Sequence, residues 1–178
     1  MVQVHTKIFI ISAPSGAGKT TLVKAMMDRF DSFAFSVSAT TRQPRSYEQA
    51  GKHYYFLSVE SFVDKRDAGE FLEWEEVYPG KFYGTLRSEV DRIIAAGKNP
   101  IFDVDVVGGI NIKKAYGERA VSIFIQPPHP EVLLERLKGR ASEDQQSINE
   151  RYAKAKQELA YASEYDLSLI HISEPTRP

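Results

Sequence analysis

The stretch Ile8-Phe9-Ile10-Ile11-Ser12-Ala13-Pro14-Ser15-Gly16-Ala17-Gly18-Lys19-Thr20-Thr21 decides how this chain folds. An apolar run suited to a buried strand leads into a glycine-rich turn, after which Leu22, Val23, Met26, Met27 and Phe30 recur at helical spacing. Strand, glycine turn and helix in that order are what a phosphate-binding P-loop requires. Successive backbone N–H groups in such a turn form an anion nest, and the helix N-terminus adds about half a positive charge. Residues 13–21 are therefore candidate phosphate ligands: Ala13, Pro14, Ser15, Gly16, Ala17, Gly18, Lys19, Thr20 and Thr21. Lys19 can reach the β- and γ-phosphates of a nucleoside triphosphate, and the Thr20 hydroxyl can ligate Mg²⁺. Ala13 stands where the motif has glycine, which requires that residue to keep a negative φ. The bland alternative is a strand-to-helix turn with a surface lysine; Gly16, Gly18, Lys19 and Thr20 together weigh against it.

The rest of the composition bounds the answer. At 178 residues the chain suits one domain with room for inserted lobes. Its 42% apolar and 26% charged content is globular, and a net charge of −1 offers no global attraction to nucleic acid. The absence of cysteine removes disulfides and thiolate metal sites, in keeping with a reducing cytosol. The N-terminal apolar run is too short for a signal or membrane segment and is needed as a strand. The expectation is a soluble, cytoplasmic protein that binds neither membrane nor nucleic acid; homo-oligomerisation is possible but not readable.

Strand-like and helix-like segments alternate, which predicts an α/β fold with a mainly parallel sheet flanked by helices. Buried strands are expected at Ile8–Ile11, Ile101–Val106 and Val121–Ile125. Helices are expected over Arg87–Ala96, from Pro130 to about Gly139, and from about Ser147 to Ala162. Between the first helix and Arg87 the character changes: most tyrosines fall here, with strand-like pieces at Tyr54–Leu57 and Phe71–Glu76 and a short helix, Val59–Ala68. This stretch reads as a small β-rich lobe inserted in a P-loop core. The division expected is a core of residues 1–34, 88–127 and 152–172, a lobe of 35–87 and a helical lid of 128–151.

Two arginines three residues apart, Arg42 and Arg45, lie among hydroxyls in Ser36-Val37-Ser38-Ala39-Thr40-Thr41-Arg42-Gln43-Pro44-Arg45. Guanidinium groups bind phosphate bidentately and hold their charge at any working pH. A solvated basic turn is the alternative, but beside a P-loop a second phosphate site is what a nucleotide-phosphorylating enzyme needs. Asp103 ends an apolar strand where P-loop kinases set a carboxylate on the Mg²⁺ side; otherwise it caps the turn at Gly108-Gly109.

These motifs, taken in order with Gly51-Lys52-His53-Tyr54-Tyr55-Phe56, Gly69-Glu70-Phe71-Leu72-Glu73-Trp74, Tyr83-Gly84-Thr85, Asp103-Val104-Asp105 and Gly139-Arg140, resemble the bacterial guanylate kinases over about residues 6 to 166. The resemblance implies transfer of the γ-phosphoryl group of Mg·ATP to GMP, giving ADP and GDP, and likewise to dGMP. It implies that Ser38, Arg42 and Arg45 help hold GMP, with Tyr54 and Tyr83 on the same phosphate. Glu73 matches the acid that accepts from guanine N1 and N2, assisted by Thr85 and Asp105. Arg140 and Arg151 match lid arginines that close over the moving phosphoryl group, and Arg136 lies near the adenine. Lys19, Arg42, Arg140 and Arg151 are thus the expected catalytic residues. No general base is required, because the acceptor oxygen is already ionised, and His53 and His129 are expected to be surface or packing residues.

One carboxylate can accept both N–H donors on the guanine edge, whereas adenine would set a lone pair against it. Two other readings stand beside this one: a related P-loop kinase acting on another small phosphate ester, and a non-catalytic guanylate-kinase-like module that binds phosphopeptides. The sequence departs from the family after Tyr165-Asp166. Residues 167–172 alternate well enough to form the last core strand, but 173–178 resemble translated adapter sequence and cannot form the helix seen in relatives. Lower stability and weaker ATP affinity than in relatives that carry it are expected.

Overall fold

A computed structural model describes residues 6–14, 17–138 and 145–170. Its central sheet is five-stranded and wholly parallel, formed from β1 (Ile8–Ser12), β2 (Phe33–Phe35), β7 (Asn99–Asp103), β8 (Ala120–Gln126) and β9 (Leu167–Ile170) in the order β2-β7-β1-β8-β9. Parallel strands need crossovers, and helices supply them. On one face Val23 of α1 (Lys19–Arg29), Leu133 of α5 (Pro130–Lys138) and Ala155 of α6 (Gln145–Leu159) pack with Ile11, Ile101 and Ile125. On the other, Val90 of α3 (Arg87–Ala95) and Ile112 of α4 (Val106–Tyr116) pack with Ile8, Ile10 and Phe102. Burial on both faces explains the unbroken apolar run in β1.

A second sheet has four strands in the order β4-β3-β6-β5: β3 (Ala39–Thr40), β4 (Tyr55–Phe56), β5 (Phe71–Tyr78) and β6 (Lys81–Leu86). Its own core is aromatic. Phe62, fully buried on α2 (Val59–Asp67), stacks 4.2 Å from Phe71 and 5.3 Å from Phe82, measured between ring centroids. The Ser58 hydroxyl caps α2 by accepting from the Ser61 N–H.

Three expectations need correction. The strand expected over Ile101–Val106 stops at Asp103, because Asp105 caps α4 by accepting from the Gly108 N–H at 2.7 Å. A helix thus stands where the glycine pair suggests a turn. The boundary expected between 34 and 35 falls inside β2, whose Phe35 pairs with Ile101 in the central sheet, and the boundary at 151 falls inside α6. Leu167–Ile170 does form the last strand, with Leu167, Leu169 and Ile170 exposed. Residues 173–178 and the end of the strand as expected, 171–172, lie outside the described residues. No helix among the described residues is long and apolar enough to cross a membrane.

Candidate functional site

The C-terminal ends of β1 and β7 open onto the crevice where ligands of parallel α/β sheets bind. Gly18 takes φ 94°, which lets the chain turn from strand to helix, and it is the N-cap of α1. No non-glycine residue described has a positive φ, so Ala13, buried against the core, meets the condition set by its side chain. Ser15 and Gly16 lie outside the described residues.

Lys19 Nζ sits 2.8 Å from Asp103 Oδ1 and donates to the Val104 carbonyl at 2.7 Å. The Thr20 hydroxyl donates to Asp103 Oδ2 at 3.1 Å. Asp103 therefore serves the P-loop, and the capping alternative belongs to Asp105. The side-by-side hydroxyl and carboxylate are hard oxygen donors of the kind Mg²⁺ takes, since that ion uses one or two protein oxygens and fills its octahedron with phosphate and water.

A cavity of about 440 Å³ is lined by the P-loop residues Ala13, Pro14 and Ala17 to Thr21, and across from them by Tyr78, Arg151 and Lys154. Arg151 thus lines the same cavity as the P-loop. Arg136 reaches back from α5 to donate to the Ala17 carbonyl at 3.3 Å. Arg140 lies outside the described residues.

The second sheet holds the other group of expected residues. A cavity of about 230 Å³ is lined by Ser38, Tyr54, Glu73, Glu75, Tyr83 and Asp105, among others. Thr85, fully buried, donates to Glu73 Oε1 at 2.7 Å. Burial pushes the Glu73 carboxyl above its usual range, with the Asp105 charge adding to the rise and the Thr85 hydrogen bond opposing it. Gly108 provides the space in which the two acids converge: a Cβ there would come 3.0 Å from Asp105 Oδ1 and 3.2 Å from Glu73 Oε2. Gly84 is needed for a different reason, because a Cβ would press 2.7 Å from the Glu73 carbonyl of the paired strand.

Arg42 lies 4.9 Å over the Tyr54 ring, and Tyr54 meets Tyr83 edge to face at 6.1 Å. Its guanidinium forks onto both carboxylate oxygens of Glu48 at 2.6 Å each, which holds the Glu48 carboxyl down to about 2. Arg45 turns instead to the Tyr47 hydroxyl at 3.1 Å, and neither arginine lines these two cavities. A third cavity, about 320 Å³, is lined by Lys19, Thr20, Phe35, Ser38, His53, Tyr54 and Asp103, so both groups of residues meet in one space.

Glu48, Glu75, Lys154 and His53 escape a reading of the sequence. Glu48 carries no motif signal of its own; only its spacing from Arg42 across a turn could suggest the pair. His53, expected at the surface or in packing, lines the shared cavity. Its Nδ1 accepts from the Gln49 N–H at 3.0 Å, which leaves the ring hydrogen on Nε2.

The sequence model of a family described as Guanylate kinase matches residues 5–172. A guanylate kinase from Porphyromonas gingivalis is 52% identical over 167 residues, covering 93% of this chain and 89% of that one. One from Bacteroides fragilis is 50% identical over 94% of this chain and 82% of its own length. The crystal structure of a guanylate kinase from Anaplasma phagocytophilum superimposes with a TM-score of 0.73 at 30% identity, covering 94% of this chain and 78% of that one.

Proposed function

The chain belongs to the guanylate kinase family, and from that premise we propose that it transfers the γ-phosphoryl group of ATP, with Mg²⁺, to GMP or dGMP, giving ADP and GDP or dGDP. The observation that carries this reading is the cavity lined at once by Lys19 and Thr20 and by Ser38 and Tyr54. A phosphoryl group passing in line between two nucleotides needs such a shared space, with little covalent work for the protein to do.

In this reading the P-loop amides, Lys19 and Thr20 hold the donor phosphates. Thr20 and Asp103 would hold the Mg²⁺, which neutralises charge on the β- and γ-phosphates when bound. Arg42, Tyr54, Tyr83 and Ser38 hold the acceptor phosphate, with Arg45 turning in to join them. Glu73 accepts from guanine N1–H and N2–H while the Thr85 hydroxyl fixes its other side, and Asp105 takes the remaining N2–H. Arg136 approaches the adenine. Arg151 and Arg140 meet the charge that spreads over the equatorial oxygens of a loose transition state. Closure of the two sheets over the crevice excludes water from the reacting phosphate. The chemistry suits the cytoplasm, where both nucleotides are found. A sugar phosphate would leave Glu73 and Asp105 with no donors, which argues against the other kinase reading.

The test is ADP release with ATP and a panel of GMP, dGMP, AMP, CMP and UMP. Turnover on GMP and dGMP with little on the others is expected. Equal turnover on AMP would overturn the guanine assignment, and none on GMP would overturn the reading altogether.

A further inference from the structure

Glu89 is a carboxylate that the proposed reaction does not use, yet it is only 3% exposed. It lies in the first turn of α3, beside Val90, which is buried in the central core. Four donors converge on it. The Val37 N–H reaches Oε1 at 3.2 Å and the Tyr55 hydroxyl reaches Oε2 at 2.8 Å. Arg92, one turn on, adds Nε to Oε2 and Nη2 to Oε1, both at 2.9 Å. Buried carboxylates are costly unless every lone pair is used, and here each oxygen has two donors. Burial would raise the carboxyl, but the Arg92, Tyr55 and Val37 hydrogen bonds prevail and hold it below its usual range.

The two segments it gathers are the ones that line the acceptor cavity. Val37 precedes Ser38, and Tyr55 follows Tyr54; Ser38 and Tyr54 line both the second and the shared cavity. The circuit closes on itself, since the Tyr55 N–H donates to the Ser38 carbonyl at 2.9 Å. Side chains alternate along extended backbone, so a Tyr55 ring turned to α3 sends the Tyr54 ring to the opposite side. A carboxylate anchored in the core therefore sets where Ser38 and Tyr54 stand relative to Lys19.

We propose that Glu89 is a positioning residue for the acceptor phosphate: through the Val37 N–H and the Tyr55 hydroxyl it fixes Ser38 and Tyr54 against the P-loop. The proposal rests on the GMP kinase reading above. Glu89 touches no nucleotide and acts only through these two neighbours. Loss of its hydrogen bonds would loosen the acceptor site while leaving the donor site intact.

The experiment compares Glu89→Gln, Tyr55→Phe and the double variant with the unaltered protein, measuring KM for GMP, KM for ATP, kcat and Tm. Hydrogen bonds to a charged group are worth about 1.5–3 kcal/mol, so Glu89→Gln should raise KM for GMP by about tenfold or more, with KM for ATP within about twofold. Tyr55→Phe removes one hydroxyl and no core volume, so it keeps the fold; it should shift KM for GMP the same way by about threefold. The double variant should show less than the product of the two effects, because both break one circuit. Unchanged KM for GMP in both single variants would overturn the proposal. So would equal rises in both KM values alongside a lowered Tm, which mark a general loss of structure. An unaltered protein that fails to phosphorylate GMP would instead remove the kinase reading and the proposal with it.

Discussion

Lys19 Nζ rests 2.8 Å from Asp103 Oδ1, so the residue expected to hold the donor phosphates is paired with an acid. The same acid accepts from Thr20, the proposed Mg²⁺ ligand. In the proposed reading Asp103 thus stands between the donor-phosphate lysine and the Mg²⁺ ligand. Lys19→Ala should lower kcat by about 100- to 1,000-fold, the range for removing one preorganised donor from a charged transition state. Asp103→Asn should instead raise the Mg²⁺ concentration needed for half-maximal rate. Rates measured over a Mg²⁺ series decide it, and an unmoved half-saturation point takes Asp103 off the metal side.

Glu73 predicts a change of selectivity. It is half-buried, Thr85 donates to one of its oxygens, and desolvation pushes its carboxyl up. Two guanine N–H donors would stabilise the ionised form and offset the cost of burying it. A site built to meet such donors rejects an analogue lacking them by about 10⁴. Glu73→Gln presents an amide hydrogen where an acceptor is needed, so the ratio of kcat/KM for GMP over AMP should collapse toward unity. Full selectivity in that variant would mean that another group reads the base. In the unaltered protein, GMP should bind more weakly as pH falls toward the raised carboxyl, since a protonated Glu73 cannot accept both bonds.

The places where the sequence is legible and where it is not share one physical cause. β1, β8 and α3 announce themselves because local pattern and tertiary burial agree. α4 does not: Val106-Val107-Gly108-Gly109-Ile110-Asn111-Ile112 combines β-branched residues with two glycines, both poor helix formers. Packing outweighs propensity there, since the glycines let the helix lie close to Ser12 and Glu73. Lys19, Thr20 and the order of motifs are readable because phosphate binding is built from local backbone. Glu89 is not, because it acts through a fold that brings separate segments together, and Glu48 is not, because its fork with Arg42 across a turn carries no motif.

Two carboxylates should give stability opposite dependences on pH. The Arg42 fork lowers the Glu48 carboxyl from 4.5 to about 2, so its stabilisation is complete above 4.5 and is lost as pH falls through 2. Glu75 moves the other way. A hydrogen bond to Asp105 raises its carboxyl from 4.5 to about 7, with burial and the Asp105 charge adding and Lys154 opposing. Its contribution is complete below 4.5 and is lost as pH rises through 7. Glu75 is exposed, and solvent screening limits this to about 1 kcal/mol, or about 2–4 °C in Tm. The Tm advantage of the unaltered protein over Glu75→Gln should fade between pH 4.5 and 8. Its advantage over Glu48→Gln should fade on acidification toward pH 2. Parallel melting curves for either variant across its window would refute the corresponding pair.

Gly108 and Gly109 are adjacent, and replacing each with alanine should produce different failures. A Cβ on Gly109 would run into the Tyr165 hydroxyl and come 2.6 Å from the Ser12 hydroxyl. Both groups are committed, Tyr165 to the Val106 carbonyl at 2.9 Å and Ser12 to the Asp105 carbonyl at 3.1 Å. Neither can retreat without breaking a bond that seats the start of α4, on β1 through Ser12 and on the segment before β9 through Tyr165. Gly109→Ala should therefore cost about 1–3 kcal/mol of stability, the usual range for overpacking. A Cβ on Gly108 meets only the ends of two side chains, Asp105 and Glu73. Both can give by the few tenths of an ångström needed while Asp105 keeps its cap on the Gly108 N–H and Glu73 its bond from Thr85, but they are the proposed readers of guanine. Gly108→Ala should leave Tm within about 2 °C, a shift below 1 kcal/mol, while raising KM for GMP and leaving KM for ATP alone. Denaturant titration beside steady-state kinetics separates the two, and a Gly108→Ala protein with native GMP kinetics would move the guanine site away from these acids.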